Sequence, residues 1–452
     1  MNNFSAVILA AGPGTRMLSS LPKVMHKLSG KPLLRWVLDS VVKLKPDSIV
    51  IVLGYKANVI KDYLLESNFK NIKFVYQEKQ LGTAHAVMQT EEIFKNYDGS
   101  IVVVNGDVPL IKSSTLMSLV KNNKKNEASV TVLSAKIDNP FGYGRIVREN
   151  GFLERIVEEK DATILDKRIK EVNSGIYCFD KSLWKSLLEI KSNNAKKEYY
   201  ITDTIAILKR LGKKVSLVMV KDESEIKGIN SREELLQTED VLRAKKVNEL
   251  LNAGVTILDA KNVYVSYDAK IGRETVIYPG VFIDVGVSIG EGCVIKGASY
   301  ILNSRINKGS VILYSYIEGA SIEANVKIGP FANIRYGTVL KENVKIGNFS
   351  EIKNSVIAKN SKINHLSYIG DAQIGKNVNI GAGTITCNYD GVNKYRTIIG
   401  ENAFIGSNVN FVAPVEIGRE ALIAAGSTIT CDVPSKKLAI ARAKQEIKRK
   451  RF

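Results

Sequence analysis

In the second half of the chain, aliphatic residues recur at a spacing of six. They stand at Ile271, Ile277, Ile283, Ile289, Ile295 and Ile301, slip to an interval of five at Ile306, and continue through Ile312, Ile317, Ile322, Ile328, Ile334, Leu340, Ile346, Ile352, Ile357, Ile363, Ile369, Ile374 and Ile380. After a gap the run resumes at Ile399, Ile405, Phe411, Ile417, Ile423 and Ile429. Four residues after most of these comes a small or β-branched residue, such as Thr275, Val281, Val287, Cys293 or Ser299. A helix repeats at about 3.6 residues and a half-buried strand at two, so neither explains this beat. A coil of three short faces does, because every sixth side chain then points inward onto the coil below. One coil cannot bury its own aliphatic residue, whereas a stack can. Sandwich strands would need turn signals at irregular intervals of about 8–12 residues.

The first half reads differently. Apolar runs at residues 6–10, 48–53, 72–76 and 101–104 alternate with helical patterns, one of them from Leu33 to Leu44. Strands alternating with helices predict a mostly parallel sheet covered on both faces. Ligands of such sheets bind at the carboxyl ends of the strands, where the loop Gly12-Pro13-Gly14 and Asp107 fall. Residues 231–250 are charged, helix-forming and free of Gly and Pro. The expected division is therefore a domain at 1–230, a helical linker at 231–250, and the repeat domain at 251–452.

Composition narrows the function classes. At 452 residues the chain is too long for one core. No apolar run reaches the roughly 18 residues that span a bilayer. Met1-Asn2-Asn3-Phe4 leads straight into strand pattern, so a cytoplasmic location is expected. The four cysteines (Cys178, Cys293, Cys387, Cys431) form no CxxC pair, and reduced thiols are expected. A net charge of +19 suits anionic partners. No aromatic-interleaved basic motif points to nucleic acid, and the basic run from Lys444 to Arg451 reads as a frayed end.

The glycine loop alone is a weak signal. It lacks the third glycine of a dinucleotide fingerprint, Met17 standing there, and no Gly-Lys-Ser/Thr follows. The longer string Leu9-Ala10-Ala11-Gly12-Pro13-Gly14-Thr15-Arg16-Met17, with Pro22-Lys23 downstream, resembles the signature of sugar-1-phosphate nucleotidylyltransferases. The strings Gln80-Leu81-Gly82-Thr83-Ala84-His85-Ala86, Gly106-Asp107-Val108-Pro109-Leu110, Val157-Glu158-Glu159-Lys160-Asp161-Ala162, Asn173-Ser174-Gly175 and Gly228-Ile229-Asn230 agree with it. The six-residue ladder resembles the left-handed parallel β-helix of hexapeptide acyltransferases. Together, over nearly the whole chain, the two halves are similar to the bifunctional N-acetylglucosamine-1-phosphate uridylyltransferase/glucosamine-1-phosphate acetyltransferase (GlmU) family.

That resemblance implies an N-terminal Rossmann-like nucleotidyltransferase domain and a C-terminal left-handed β-helix, packed as a homotrimer. It implies acetyl transfer from acetyl-CoA to glucosamine-1-phosphate, then uridylyl transfer from UTP with release of pyrophosphate. The product would be UDP-N-acetylglucosamine, a precursor of peptidoglycan and lipopolysaccharide. Leu9, Ala10, Ala11 and Gly12 would line the uridine and phosphate cradle, Lys23 and Arg16 would face phosphate charge, and Gln77, Gly82 and Thr83 would meet the uracil. Asp107 and Asn230 would hold Mg2+, a hard cation suited to oxygen ligands. Gly144, Glu158 and Asn173 would contact the N-acetyl sugar. Phosphoryl chemistry of this kind rests on positioning and charge neutralisation, and the sugar phosphate needs no general base.

In the ladder the resemblance makes His365 the base, a residue suited to proton transfer near neutral pH. His26 and His85, beside nucleotidyl motifs, read as structural. Arg335, Lys353, Tyr368, Asn379 and Lys394 would bind glucosamine-1-phosphate, and Ala382, Asn388, Tyr389, Ser407, Ala425 and Arg442 would bind acetyl-CoA. Glu351 is expected to orient the imidazole. The repeat breaks at residues 386–397, where a loop is expected to bulge out. Pro13, Asn105 and Tyr336 depart from the family pattern. A hexapeptide-class carbonic anhydrase would need three zinc-binding histidines, and the ladder has only His365. The remaining alternative is a single-activity sugar-1-phosphate nucleotidyltransferase with a structural β-helix.

Overall fold

The computed structural model describes residues 3–67, 69 and 71–450; Met1, Asn2 and Arg451, at the outer ends of the first strand pattern and the basic tail, lie outside them. The chain forms two compact units, residues 1–238 and 239–452. The boundary falls inside the helix Arg232–Asn252, which covers the stretch read as a linker.

The first unit is built on β1 (Phe4–Ala10), β2 (Ile49–Leu53), β3 (Ile72–Tyr76), β4 (Ser100–Asn105), β5 (Val130–Lys136), β6 (Arg145–Glu149), β7 (Phe152–Val157), β8 (Glu171–Phe179) and β9 (Val215–Met219). The main order is β9-β5-β8-β4-β1-β2-β3, with β6 and β7 paired off β8. Along this order pairing is parallel except at β8, which runs antiparallel to β4 and β5; β6 is antiparallel to both β7 and β8. Side chains on a strand alternate between faces, and two cores result. Ala6, Ile8, Ile51 and Val104 enter one, while Val7, Val50, Val52 and Val103 enter the other. The helix Leu33–Val42 packs Leu34, Val37, Leu38 and Val41 onto the first core, ending two residues short of the predicted Leu44. The order reverses at β1, whose neighbours are β2 and β4, so the crevice beyond β1 and β4 is the natural ligand site.

The second unit is a triangular prism of stacked coils. Among the described residues its three faces are parallel sheets of eleven, ten and nine short strands. The predicted ladder is the core: Ile334, Ile352 and Ile369 stack in register and are 0% exposed. The following small residues are buried too, and they close the corners. Ser355 Oγ donates to Lys353 O at 2.8 Å and accepts from Ala372 N at 2.9 Å. One row of corners places Asn343, Asn360, Asn377 and Asn402 in the left-handed region, where asparagine is tolerated. Their side-chain amides bond in series at 3.0–3.1 Å.

The stack starts at Thr256–Ile257 and Tyr264–Val265, inside the repeat domain expected from residue 251, and the interval from Ile257 to Val265 is longer than the regular six. One feature of the ladder differs from the reading of the sequence. The gap is shorter than the predicted break at 386–397. The strand Ile385–Cys387 continues the second face. Buried Thr386 fills an aliphatic slot there and offers its Oγ1 to Gly370 N at 2.8 Å. The bulge proper lies after Cys387 and is closed by a bridge between Tyr389 and Lys394.

Candidate active sites

The first site forms where β1 and β4 end. Gly106 N donates to Leu9 O at 2.9 Å, holding the two loops together. Ala10 and Ala11 are buried and Gly12 is exposed, with open space where its Cβ would be. Gly14 has φ 63°, and a Cβ there would lie 2.4 Å from Lys23 Cβ, so the loop can wrap Lys23 only with glycine at that position. Lys23 Nζ pairs with Asp107 Oδ2 and donates to Asn230 Oδ1 at 2.9 Å. Ile229 N donates to Asp107 O at 2.9 Å, fixing Asn230 beside Asp107. Two oxygen atoms thus converge on the Lys23 ammonium, a donor set whose oxygens also suit a hard cation. Arg16 is exposed and makes no hydrogen bond or ion pair among the described residues.

Beside this crevice, Gly82 adopts φ 114°, and a Cβ would strike Tyr199 O at 2.5 Å. The close approach allows a clasp: Tyr199 N donates to Leu81 O at 2.8 Å, Ala84 N to Tyr199 O at 2.9 Å, and Ile201 N to Thr83 Oγ1 at 3.1 Å. Gln77 is buried next to it. The structure also brings Gly144, Glu158 and Asn173 together, for a Cβ on Gly144 would lie 3.5 Å from Glu158 Oε1 and 3.6 Å from Asn173 Cβ. Burial raises the Glu158 pKa, and a hydrogen bond from Thr202 Oγ1 at 3.2 Å partly offsets this. Asp203 is pushed up to about 6 by burial and by Asp161. Asn105, one of the departures, donates to Gly175 O at 3.4 Å. It occupies the space that a Cβ on Gly175 would need.

In the second unit the predicted residues fall on two borders of one prism face. Asn348 pairs in register with His365. Gly383 N donates to His365 O, Asn408 N to Ala382 O, and Gly426 N to Ser407 O. Asn348, His365, Ala382, Ser407 and Ala425 therefore share one column along the corner before the second face. Arg442 Nη1 caps it by donating to Ala425 O at 2.7 Å. Tyr368 starts the next strand, Tyr368–Gly370, and Asn379 lies on the first face. At the opposite border Lys353 ends its strand and Arg335 directly follows one, and Asn388, Tyr389 and exposed Lys394 lie beyond the strand Ile385–Cys387 in the bulge. One copy of the chain does not gather the two groups.

The expected role of Glu351 is corrected here. Its carboxylate accepts from Arg335 Nη1 at 2.7 Å, which raises the Arg335 pKa. The partner of His365 is Asn348, whose Oδ1 lies 2.8 Å from Nδ1. An amide oxygen only accepts, so the Nδ1 proton is fixed and Nε2 keeps its lone pair. Sequence reasoning missed Asn348. An offset of 17 residues, the local length of one coil, would have found it.

Comparisons with known proteins match both halves of the chain. Residues 5–231 match the nucleotidyl transferase family model. Residues 316–411 match the GMPPB C-terminal domain and residues 396–431 the bacterial transferase hexapeptide (six repeats). The bifunctional protein GlmU of Acetivibrio thermocellus is 46% identical over 450 residues, 99% of this chain and 97% of its own. That of Caldicellulosiruptor saccharolyticus is 50% identical, covering 97% of this chain and 95% of its own. That of Caldanaerobacter subterraneus is 47% identical, covering 98% and 96%. With a nucleotidyltransferase sheet and a hexapeptide prism in one chain, and relatives this similar from end to end, the protein belongs to the bifunctional GlmU family of uridylyltransferase–acetyltransferases.

Proposed function

We propose that the crevice beyond β1 and β4 transfers uridylyl from UTP to N-acetylglucosamine-1-phosphate, and that the prism corner at His365 acetylates glucosamine-1-phosphate. The observation that carries the first assignment is the convergence of Asp107 and Asn230 on the Lys23 ammonium beside the Gly12 loop. A phosphate oxygen of the sugar phosphate attacks the α-phosphorus of UTP, and the bond to pyrophosphate breaks. Charge gathers on the phosphate oxygens, so the site must neutralise it. Lys23 and Arg16 supply cations, and the amides after Leu9 supply donors. Mg2+, held by Asp107 and Asn230, would neutralise further phosphate charge and orient the triphosphate. Gly144, Glu158 and Asn173 position the sugar, and Gln77, Gly82 and Thr83 the base. Asp107→Ala should abolish uridylyl transfer and leave acetyl transfer intact; normal UDP-sugar formation would overturn the assignment.

In the prism, the amine of glucosamine-1-phosphate attacks the thioester carbonyl of acetyl-CoA. The C–N bond forms, the C–S bond breaks, and His365 Nε2 accepts the amine proton. Ala382, Ser407, Ala425 and Arg442 lie along the same corner as His365 and would seat the CoA, with Asn388 and Tyr389. Arg335, Lys353 and Lys394 carry the positive charge for the sugar phosphate, with Tyr368 and Asn379 on the sugar.

These charges sit across the face from His365, so a second copy is needed to complete the site. The corner beside His365 is an exposed apolar ridge of Tyr314, Phe331, Phe349 and Leu366. Its rings stand 5.9 and 5.5 Å apart. Such a ridge is the kind of surface that homo-oligomers cover. The assembly is a homotrimer with acetyl sites between copies, working in the cytoplasm. Phe349→Asp should lower the mass measured by light scattering to that of one chain and abolish acetyl transfer alone. A fully active monomer would sink the trimer. Among the described residues no helix is long and apolar enough to cross a membrane.

A further inference from the structure

Gln77 follows β3 and is 3% exposed. Its Nε2 lies 3.0 Å from Gly82 O and 3.0 Å from His85 Nδ1. A carbonyl oxygen can only accept, so Gly82 fixes which way the amide is turned. The second amide proton then meets Nδ1, which must present its lone pair. Both protons of the amide are committed. Its Oε1 makes no hydrogen bond among the described residues and is left to meet a ligand.

The supports of this arrangement are themselves held. The Tyr199 clasp pins the Gly82 turn. Gln89 Nε2 donates to His85 O at 2.9 Å, bracing the helix Thr83–Met88 that carries the ring.

We infer that His85 is a positioning residue for base selection: with Gly82 it locks the Gln77 amide so that the base meets Oε1, an acceptor, and never the NH2 group. The inference rests on the proposed placement of the base against Gln77. Uracil presents an N3–H donor and is accepted. Cytosine presents a lone pair at N3 and is refused, because two acceptors would face each other. Without Nδ1, the amide can rotate and offer NH2 to cytosine.

The test uses the full-length enzyme, with initial rates of nucleotidyl transfer from UTP and from CTP to N-acetylglucosamine-1-phosphate. His85→Leu should lower the UTP-to-CTP ratio of kcat/KM by about tenfold, mainly through the KM for UTP. His85→Asn, whose Oδ1 can accept in place of Nδ1, should recover most of the ratio. The ratio compares two nucleotides on one sample, so a partly unfolded variant reports the value of its folded fraction. A wild-type ratio in His85→Leu, or no rescue by His85→Asn, overturns the inference. An unchanged ratio in Gln77→Ala overturns it differently, by removing Gln77 from the base site.

Discussion

Replacing Asn348 by alanine should slow acetyl transfer and leave uridylyl transfer alone. Asn348 Oδ1 accepts the Nδ1 proton of His365 at 2.8 Å. This keeps the Nε2 lone pair available, and it steadies the imidazolium that forms when the ring takes the amine proton. As that charge develops, the bond becomes charge-assisted, a class of interaction contributing about 1.5–3 kcal/mol. The loss in kcat/KM is therefore roughly 10- to 150-fold. His365 is exposed, which places the effect toward the low end. The assay is thiol release from acetyl-CoA with glucosamine-1-phosphate across a pH series. Asn348→Asp sharpens the test, because a carboxylate beside the ring favours the imidazolium and should move the acidic limb of the profile to higher pH by about one unit. Acetyl transfer by Asn348→Ala within about twofold of wild type would refute the reasoning. So would a shift of that limb in Glu351→Ala and not in the Asn348 variants.

Three further outcomes are expected. Thr202→Val removes the hydrogen bond that holds the Glu158 pKa down, so the acidic limb of kcat/KM for the sugar phosphate should move to higher pH; an unmoved limb would take Thr202 out of the sugar subsite. Ile352→Ala leaves a cavity between stacked Ile334 and Ile369 and should cost the prism about 2–5 kcal/mol, read from denaturant unfolding of the β signal; a loss under about 1 kcal/mol would contradict tight stacking. Asp203, at about 6 in the folded protein against 3.8 ordinarily, favours the neutral form, so its contribution to stability falls as pH rises from about 4 to 6. Asp203→Asn should thus be more stable than wild type above pH 6, by roughly 1–2 kcal/mol after solvent screening, with the gap closing near pH 4 in thermal melts. A gap that does not change with pH would contradict the buried carboxyl.

The ladder was legible because its chemistry is monotonous: a slot such as Ile334 or Ile352 admits only an inward aliphatic side chain, so the period survives in the letters. It disappeared where the physics changed. Thr386 holds a core slot through backbone hydrogen bonds, and a search for aliphatic residues passes over it. The interval from Ile257 to Val265 is longer than six, so Ile257 falls off the beat. In the first unit, apolar runs at β1 and β4 separated by helical patterns exposed the sheet, and the loops after them drew attention to Gly12 and Asp107. Pairings across the fold were not legible. Glu351 lies nearer to His365 in sequence than Asn348 does, but parallel stacking joins residues one coil apart. The clasp between Gly82 and Tyr199 likewise depends on a close backbone approach that no local string announces.

One mixed assay goes to the centre of the account. Purified protein receives glucosamine-1-phosphate, acetyl-CoA, UTP and Mg2+, and free CoA, pyrophosphate and nucleotide sugar are counted together. The two-site reading predicts UDP-N-acetylglucosamine, CoA and pyrophosphate in equal amounts at completion, with no nucleotide sugar when acetyl-CoA is withheld. Pyrophosphate release without acetyl-CoA, at the same rate and with no CoA formed when it is supplied, would contradict it.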